Sequence, residues 1–255
     1  MTTATTGKTN QKEVSPAAWL EARKKLLAKE REFTHLRDEL SRERREMPWE
    51  KVEKKYVFEG PNGKESLADL FGGHSQLIIY HFMFGPGWKE GCPSCSFLAD
   101  GFDPMSVHLE QRDTSFRVIS RATVPEIQAF QKRMGWKFKW LSSHGTDFNH
   151  DFQVYASKDE IAAGKTIYNY ERTDFPSDER PGLSVFFRQN GELFHTYSSY
   201  ARGLDILLPT YNMLDLTPKG RDEDALPWPM AWVRHHDRYG DATALDAITL
   251  IAQSK

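Results

Sequence analysis

The sequence contains only two cysteines among 255 residues, so no second cysteine pair could complete a four-ligand structural zinc site. So few cysteines also argue against a disulfide-stapled secreted scaffold. Residues 1–15 lack the basic region and the apolar core of a secretory signal. We therefore expect a protein of the reducing cytoplasm, and we assign no metal ligands.

Long apolar runs and a strong excess of charge are missing as well. No stretch reaches the length of a transmembrane helix, and the formal net charge is only -2. We therefore expect neither a membrane nor a nucleic acid as partner. Apolar residues make up 39% of the chain, which suffices for a folded core, and the length favours one elaborated domain.

The composition divides the chain into four segments. We predict a disordered tail over residues 1–15, an N-terminal helix over 16–48, a central domain over 49–216 and a C-terminal extension over 217–255. Ser15 as N-cap and Pro16 at the first helical position indicate where the helix begins. Pro48 indicates where it stops.

One line of apolar residues recurs every seven positions along this helix. Its members are Trp19, Leu26, Phe33, Leu40 and Met47. A coiled coil needs a second apolar line, and that line is weak. Its positions hold Ala22, Lys29, Leu36 and Glu43. A single apolar line favours a helix that packs on its own domain, and a homodimer through the N-terminal helix is the alternative.

Apolar periodicity in the central domain predicts strands that alternate with helices. Residues 77–84 are apolar on both faces, as is typical of a central strand covered on both sides. Residues 114–143 predict a strand, a helix with a capping box and a second strand, which together form a parallel βαβ unit. Asn190-Gly191 predicts a β-hairpin, and a last helix is expected over 205–216.

Both cysteines follow the central strand in a C-P-S-C motif at the predicted start of a helix. With Pro93 in the first turn, Cys92 occupies the N-cap, where unpaired N–H groups and the helix dipole favour an anionic sulfur. Lowering a thiol pKa from about 8.5 towards 7 stabilises the thiolate by about 2 kcal/mol. We therefore predict that Cys92 attacks a disulfide and that Cys95, one turn further on and more buried, resolves the mixed disulfide.

The succession of strand, cysteine pair, helix, βαβ crossover, hairpin and helix is seen in thioredoxin-like domains. The chain is similar to a bacterial thioredoxin-like family, formally a domain of unknown function, whose members are catalogued as dithiol-disulfide oxidoreductases. The stretches that carry the similarity are LIIYHFMFGPGWKEGCPSCSFLADGF, RMGWKFKWLSS with DFNHDF, and LFHTYSSYARGLD. The resemblance implies an α/β fold: a central mixed β-sheet flanked by helices, with an N-terminal helical arm and a C-terminal extension.

The resemblance also implies supporting residues around the cysteines. Trp88 lies near the tryptophan that often precedes such a motif. His81 occupies a place similar to that of the buried acid that relays protons in thioredoxins. Pro181 resembles the cis-proline that faces the motif. No cofactor is implied beyond the redox-active Cys92–Cys95 disulfide.

The segment HTYSSYARG concentrates polar and aromatic side chains after the predicted hairpin turn. His195, Tyr197 and Arg202 are candidates for substrate binding, because an arginine can hold a carboxylate or phosphate with two hydrogen bonds. The alternative is a strand whose residues are buried and bonded to one another. His235 and His236 are adjacent, so their side chains point in different directions on a helix, and we assign them no ligand role.

These observations predict a thiol–disulfide oxidoreductase that acts on a small molecule or on a dedicated protein partner. Two alternatives stay open: a thioredoxin-like metal-binding protein of the copper-delivery type, and a non-catalytic thioredoxin-like binding module. Copper-delivery proteins usually space their cysteines one residue wider. A peroxidase is a minor alternative, because PGWKEGC lacks the hydroxyl residue that a peroxiredoxin carries before its cysteine.

Overall fold

An eight-stranded mixed sheet forms the centre of the fold in the computed structural model, which describes residues 11–175 and 177–240. The strands are β1 (Glu50–Lys51), β2 (Val57–Gly60), β3 (Gly63–Ser66), β4 (Gln76–His81), β5 (Thr114–Ser120), β6 (Lys139–Ser142), β7 (Ile167–Tyr168), β8 (Glu171–Arg172), β9 (Gly182–Gln189) and β10 (Glu192–Tyr200). The strands β7 and β8 form a separate two-stranded sheet. Most of the predicted tail and the last fifteen residues of the predicted extension lie outside the described ranges.

Seven α-helices and four short 3-10 helices accompany the strands in the described ranges. The α-helices are α1 (Pro16–Glu46), α2 (Pro93–Phe102), α3 (Ser106–Glu110), α4 (Val124–Met134), α5 (Phe148–Asp151), α6 (Lys158–Ala162) and α7 (Pro209–Leu214). The 3-10 helices are Asp69–Phe71, Asp103–Met105, Ala201–Leu207 and His236–Arg238. No helix in the described part of the chain combines the length and the apolar composition needed to cross a membrane.

The large sheet has the strand order β1-β10-β9-β4-β5-β6-β2-β3. The strands β4, β5 and β6 are parallel, with α2 and α3 linking the first two and α4 the second two. The strand β9 runs antiparallel to β4 and forms a hairpin with β10, after which α7 follows. This is the order of elements of the thioredoxin-like fold, so the expected fold class is confirmed.

Local signals in the sequence account for the ends of these elements. The capping box of Thr123 and Glu126 is present at the start of α4, and Gly135 ends that helix with a positive φ of 72°. Asn190 and Gly191 both have positive φ, of 54° and 81°, as the predicted two-residue hairpin turn requires.

Prolines explain where the observed helices differ from the prediction. The helix that begins after Cys92 is short: α2 ends at Phe102, and a 3-10 turn that contains Pro104 follows. The predicted last helix is divided, because Pro209 has no N–H to donate within a helix and begins α7 instead.

Each face of the large sheet carries its own apolar core. Tyr80 and Phe82 face a core that includes Cys95 and the buried side of α2. Leu77 and Ile79 face the second core, which includes Phe148. Because consecutive residues of a strand point to opposite faces, β4 contributes to both cores. A shift of one position along the strand moves a side chain from one core to the other.

The long N-terminal helix begins at Pro16, and the Ser15 hydroxyl accepts a hydrogen bond from the Ala18 N–H at 3.3 Å, as predicted. None of its residues is buried. The interpretation that this helix packs on its own domain is therefore wrong for the described residues. At its C-terminal end, the guanidinium of Arg44 lies 5.4 Å from the ring centroid of Tyr197.

Candidate redox site at the start of α2

The two cysteines lie at the first turn of α2, just beyond the carboxyl end of the central strand β4. Cys92 is the N-cap residue, and Pro93 occupies the first helical position, as the sequence predicts. The Cys92 N–H donates to the Met83 carbonyl at 3.0 Å, which closes the intervening loop. The Ser96 hydroxyl donates to the Cys92 carbonyl at 2.9 Å. The backbone around Cys92 is therefore fixed on both sides.

Cys92 and Cys95 differ in exposure and in electrostatic environment. They lie 3.9 Å apart; Cys92 is half-buried, whereas Cys95 is 1% exposed. Hydrogen bonding from the Cys95 thiol lowers the pKa of Cys92 to about 7, against the effect of burial, and the Cys95 and Ser94 N–H groups act in the same direction. Burial raises the pKa of the Cys95 thiol, and the neighbouring Cys92 sulfur adds to that effect. At neutral pH the partly accessible Cys92 thiol is therefore about half ionised, and it lies beside a buried thiol that stays protonated.

The lowered pKa predicts how alkylation of the reduced protein depends on pH. Because only the thiolate reacts, the rate at Cys92 should rise with pH, reach half its maximum near pH 7 and level off above it. Replacing Cys95 with Ala removes the largest cause of the shift, so the midpoint should move up towards the ordinary thiol range of about 8.5. The measurement is the iodoacetamide rate at Cys92 from pH 5 to 10, by peptide mass spectrometry.

A Ser94→Ala variant is the matched control, because Ser94 makes only a minor contribution to the shift. Its midpoint should stay closer to the wild-type value than that of Cys95→Ala. A wild-type midpoint at pH 8.5 or higher would contradict the assigned electrostatics of Cys92.

The group of β4 that lies nearest Cys95 is Tyr80, not His81. Tyr80 is fully buried, and its hydroxyl donates to the Cys95 carbonyl at 3.4 Å. Burial raises the pKa of Tyr80 well above its ordinary value, so the hydroxyl stays protonated. His81 points to the other face of the sheet, where it stacks on Phe152 at 6.0 Å and bonds Ser184 at 2.8 Å.

The prediction that His81 stands in the place of the proton-relay acid is therefore wrong. Burial lowers the pKa of His81 to about 3, so the ring is neutral on the far side of the sheet. The period-2 alternation of a strand could have identified Tyr80, since it shares a face with Phe82. It could not have shown which face the cysteine helix covers.

Trp88 lies in the loop between β4 and the cysteines and packs against the same core as Cys92. Its indole nitrogen and a Glu179 carboxylate oxygen both approach Gly85, at 2.9 and 3.2 Å from the point where a Cβ on that glycine would stand. Glu179 is 1% exposed and accepts a hydrogen bond from Arg121 at 2.8 Å. Burial raises the pKa of Glu179 to about 7 although Arg121 opposes the shift.

The residue before Cys92 is held by a histidine from the far end of the chain. The Nε2 of His235, which is 4% exposed, lies 2.9 Å from the Gly91 carbonyl and donates to it. A Cβ on Gly91 would come within 2.5 Å of Phe82 and 2.8 Å of Phe130. Sequence reasoning assigned no role to His235, and nothing in the sequence indicates a contact across 144 positions.

The peptide bond before Pro181 is trans, because the described residues contain no cis peptide bond. The predicted cis-proline is therefore wrong; an X–Pro bond favours trans by about 0.5–1 kcal/mol unless its surroundings impose the other isomer. The Pro181 carbonyl accepts a hydrogen bond from the Tyr168 hydroxyl at 2.7 Å, immediately before β9 begins.

The three predicted substrate-binding residues do not line one cleft. His195 pairs with Phe186 and contacts the second core, whereas Tyr197 pairs with Val185 on the face of the cysteines. Although a bulge separates the two pairs, the residues point to opposite faces. The side chain of Arg202 is 87% exposed and pairs with Asp205 at 2.9 Å. The structure therefore brings none of them together with Cys92.

His195 instead belongs to a partly buried chain of hydrogen bonds on the face away from the cysteines. Its Nε2 lies 2.7 Å from the Ser198 hydroxyl, which lies 2.8 Å from the Ser184 hydroxyl. Ser184 in turn bonds His81. The alternative stated for this segment, that its residues bond one another, describes His195 well.

The described residues place no cluster of metal-binding side chains around the cysteines. Across residues 11–175 and 177–240, no group of three or more His, Cys, Asp or Glu side chains could hold a metal ion. Two sulfur atoms alone are fewer than the three or four protein ligands of typical zinc sites.

Comparison with known proteins gives one family and a set of distant structures. Residues 8–239 match the family described as "Bacterial protein of unknown function (DUF899)". No curated protein matches the chain.

The solved structures that resemble this chain share little sequence with it. Peroxidoxin BcpB from Mycobacterium tuberculosis is 13% identical, with 66% of this chain and 97% of that chain covered and a TM-score of 0.46. Xanthomonas campestris peroxiredoxin Q is 16% identical, with 64% and 95% covered and a TM-score of 0.43. A proposed protein disulfide isomerase from Bacteroides thetaiotaomicron is 15% identical, with 65% and 91% covered and a TM-score of 0.38.

Proposed function

Because this chain belongs to the bacterial family of unknown function DUF899, whose name assigns no activity, we propose a function from the cysteine site itself. The protein is a thiol–disulfide oxidoreductase in which Cys92 attacks and Cys95 resolves. The observation that carries the proposal is the asymmetry of the pair: a half-buried thiol with a lowered pKa 3.9 Å from a fully buried thiol with a raised pKa.

The first step is attack of the Cys92 thiolate on one sulfur of a substrate disulfide. A bond forms between Cys92 and that sulfur, the substrate S–S bond breaks, and the second substrate sulfur leaves as a thiolate that takes a proton from water. A pKa near 7 suits this step, since the optimum attacking thiol has a pKa near the ambient pH.

The second step releases the product by forming the Cys92–Cys95 disulfide. Cys95 gives up its proton and attacks the Cys92 sulfur, and the remaining substrate sulfur leaves and is protonated. Two electrons pass to the substrate, which becomes two thiols, and the enzyme becomes a disulfide. A cellular dithiol or low-molecular-weight thiol then resets the pair by the reverse exchange.

The surroundings of α2 favour a small disulfide or a dedicated protein partner as substrate. Trp232 from the C-terminal extension packs on Phe97 of α2 with ring centroids 5.5 Å apart. The next turn of α2 is covered as well, because His236 bonds Asp100 at 2.7 Å. We infer that this extension beside α2 restricts the approach of a large protein surface to Cys92.

The experiment that tests the proposal is a redox titration of the purified protein. We expect intact mass after thiol alkylation, across a series of glutathione buffers, to change in one reversible two-electron transition. Peptide mapping should assign it to Cys92 and Cys95, and its midpoint would give the direction of the physiological reaction. Two free thiols throughout the series would contradict the proposal and favour the metal-binding or the non-catalytic alternative.

A further inference from the structure

The helix α1 carries a line of large apolar side chains that no described residue buries. It is 31 residues long and has no buried residue. The apolar side chains of its seven-residue repeat are between 44% and 65% exposed; they are Trp19, Leu26, Phe33, Leu40 and Met47. An isolated helix of this kind is marginal in water, and its stability in proteins comes from packing of the apolar face.

Charged residues flank this apolar line in a regular pattern. With Trp19, Leu26, Phe33 and Leu40 at heptad position a, position e holds Arg23, Glu30, Arg37 and Arg44. Position g holds Ala18, Lys25, Glu32, Glu39 and Glu46. In a parallel two-stranded coiled coil, each g side chain lies beside the e side chain five residues further along the other helix.

Every charged g residue that has such an e partner in α1 would meet the opposite charge. The three pairs are Lys25 with Glu30, Glu32 with Arg37, and Glu39 with Arg44. Because the two chains are identical, each pair occurs twice. Position e and g charges set the partner and the orientation of coiled coils, so this pattern identifies a second copy of the same helix.

We propose that α1 is a dimerisation arm that pairs, parallel and in register, with α1 of a second copy of this chain. This inference does not depend on the proposed redox function. The d positions include Lys29 and Glu43, which reduce the apolar contact between the helices. The dimer should therefore dissociate on dilution, and its mass has to be followed over a range of concentrations.

The first test is the mass of the full chain in solution. Light scattering should give twice 29.4 kDa at high concentration and a decline towards the monomer on dilution. A Leu26→Glu/Phe33→Glu variant should be monomeric at every concentration. Both side chains are exposed in the single chain, so the variant should keep the melting temperature of the folded domain.

A cysteine placed at one end of the helix tests the orientation. In a Cys92→Ser/Cys95→Ser background, Ala22→Cys at position d should form a disulfide with its own counterpart under mild oxidation. An antiparallel pair would hold the two copies of residue 22 at opposite ends of the coil. The matched control is Lys24→Cys, at the outward-facing position f, which should not cross-link.

A charge reversal tests the assigned pairs. Glu32→Lys alone and Arg37→Glu alone should each raise the dimer dissociation constant by about three- to tenfold, while the double variant should restore it. A monomeric mass at all concentrations without an Ala22→Cys disulfide would overturn the proposal. The apolar line of α1 would then be a contact surface for another protein or for residues 241–255 of the same chain. A dimer in which the charge reversals act additively would overturn the parallel pairing.

Discussion

Replacing Cys92 with Ser should reduce disulfide reduction by about a thousandfold or more, to the rate of the uncatalysed exchange. A serine hydroxyl is not ionised at neutral pH and cannot take the place of a thiolate whose pKa is near 7. The Cys92 side chain is half-buried at a helix start and is nearly isosteric with serine, so the free energy of unfolding should change little. The measurement is turnover of 2-hydroxyethyl disulfide in the presence of a recycling dithiol, with urea unfolding in parallel.

The Cys95→Ser variant separates attack from resolution. It keeps the attacking thiol but cannot close the intramolecular disulfide, so it should accumulate a mixed disulfide on Cys92. Intact mass should rise by the mass of one substrate half, and a reducing agent should reverse the gain.

With wild-type protein, the small disulfide should be reduced faster than insulin, since the C-terminal extension lies beside α2.

Unchanged turnover in Cys92→Ser would rule out the proposed mechanism. If the Cys92→Ser variant formed a mixed disulfide at Cys95, then Cys95 would be the attacking thiol and Cys92 the resolving one. Insulin reduction as fast as that of the small disulfide would leave the mechanism intact and remove the restriction to small or dedicated substrates.

Replacing Phe82 with Ala should destabilise the protein by about 3–5 kcal/mol, because a fully buried aromatic ring is removed from a packed core. Its ring lies 4.7 Å from that of Trp140 and 6.3 Å from that of Phe130. Phe82 also fills the space beside Gly91, the residue before Cys92. The loop should therefore relax, and the pH midpoint of Cys92 alkylation should move up from about 7. Urea unfolding and the alkylation profile measure the two effects.

The matched control is Phe148→Ala, in the core on the opposite face of the sheet. Phe148 is also fully buried and packs against Phe58 and Phe152 at 4.8 and 4.7 Å. Its loss should cost a similar free energy of unfolding but leave the alkylation midpoint of Cys92 unchanged. Equal midpoint shifts in both variants would mean that the electrostatics of Cys92 depend on global stability rather than on the packing of Gly91.

Local patterns in the sequence predicted the main elements of the site correctly. The spacing of Cys92 and Cys95, with Pro93 between them, predicted a helix that begins at the first cysteine, and the helix is there. The Asn190-Gly191 pair predicted the hairpin turn. Each of these depends on interactions between residues a few positions apart, namely capping, turn geometry and helix register.

Predictions of which distant side chains surround the cysteines failed. His81 and His195 were candidates by type and by resemblance, yet both lie on the sheet face away from the cysteines. His81 bonds Ser184, His195 bonds Ser198, and the two serines bond each other. Tyr80 and His235 were missed, although one lies beside Cys95 and the other holds Gly91.

The sequence by itself determined the cysteine motif at a helix start, the alternation of strands and helices, and the charge pattern of the N-terminal helix. All three depend on the spacing of residues that lie a few positions apart in the chain. Only the tertiary structure decided which residues surround the thiols. The side chains of β4 alternate between two covered faces, and α2 packs on one of them. That choice is made by long-range packing, which placed Tyr80 beside Cys95 and left His81 on the other face.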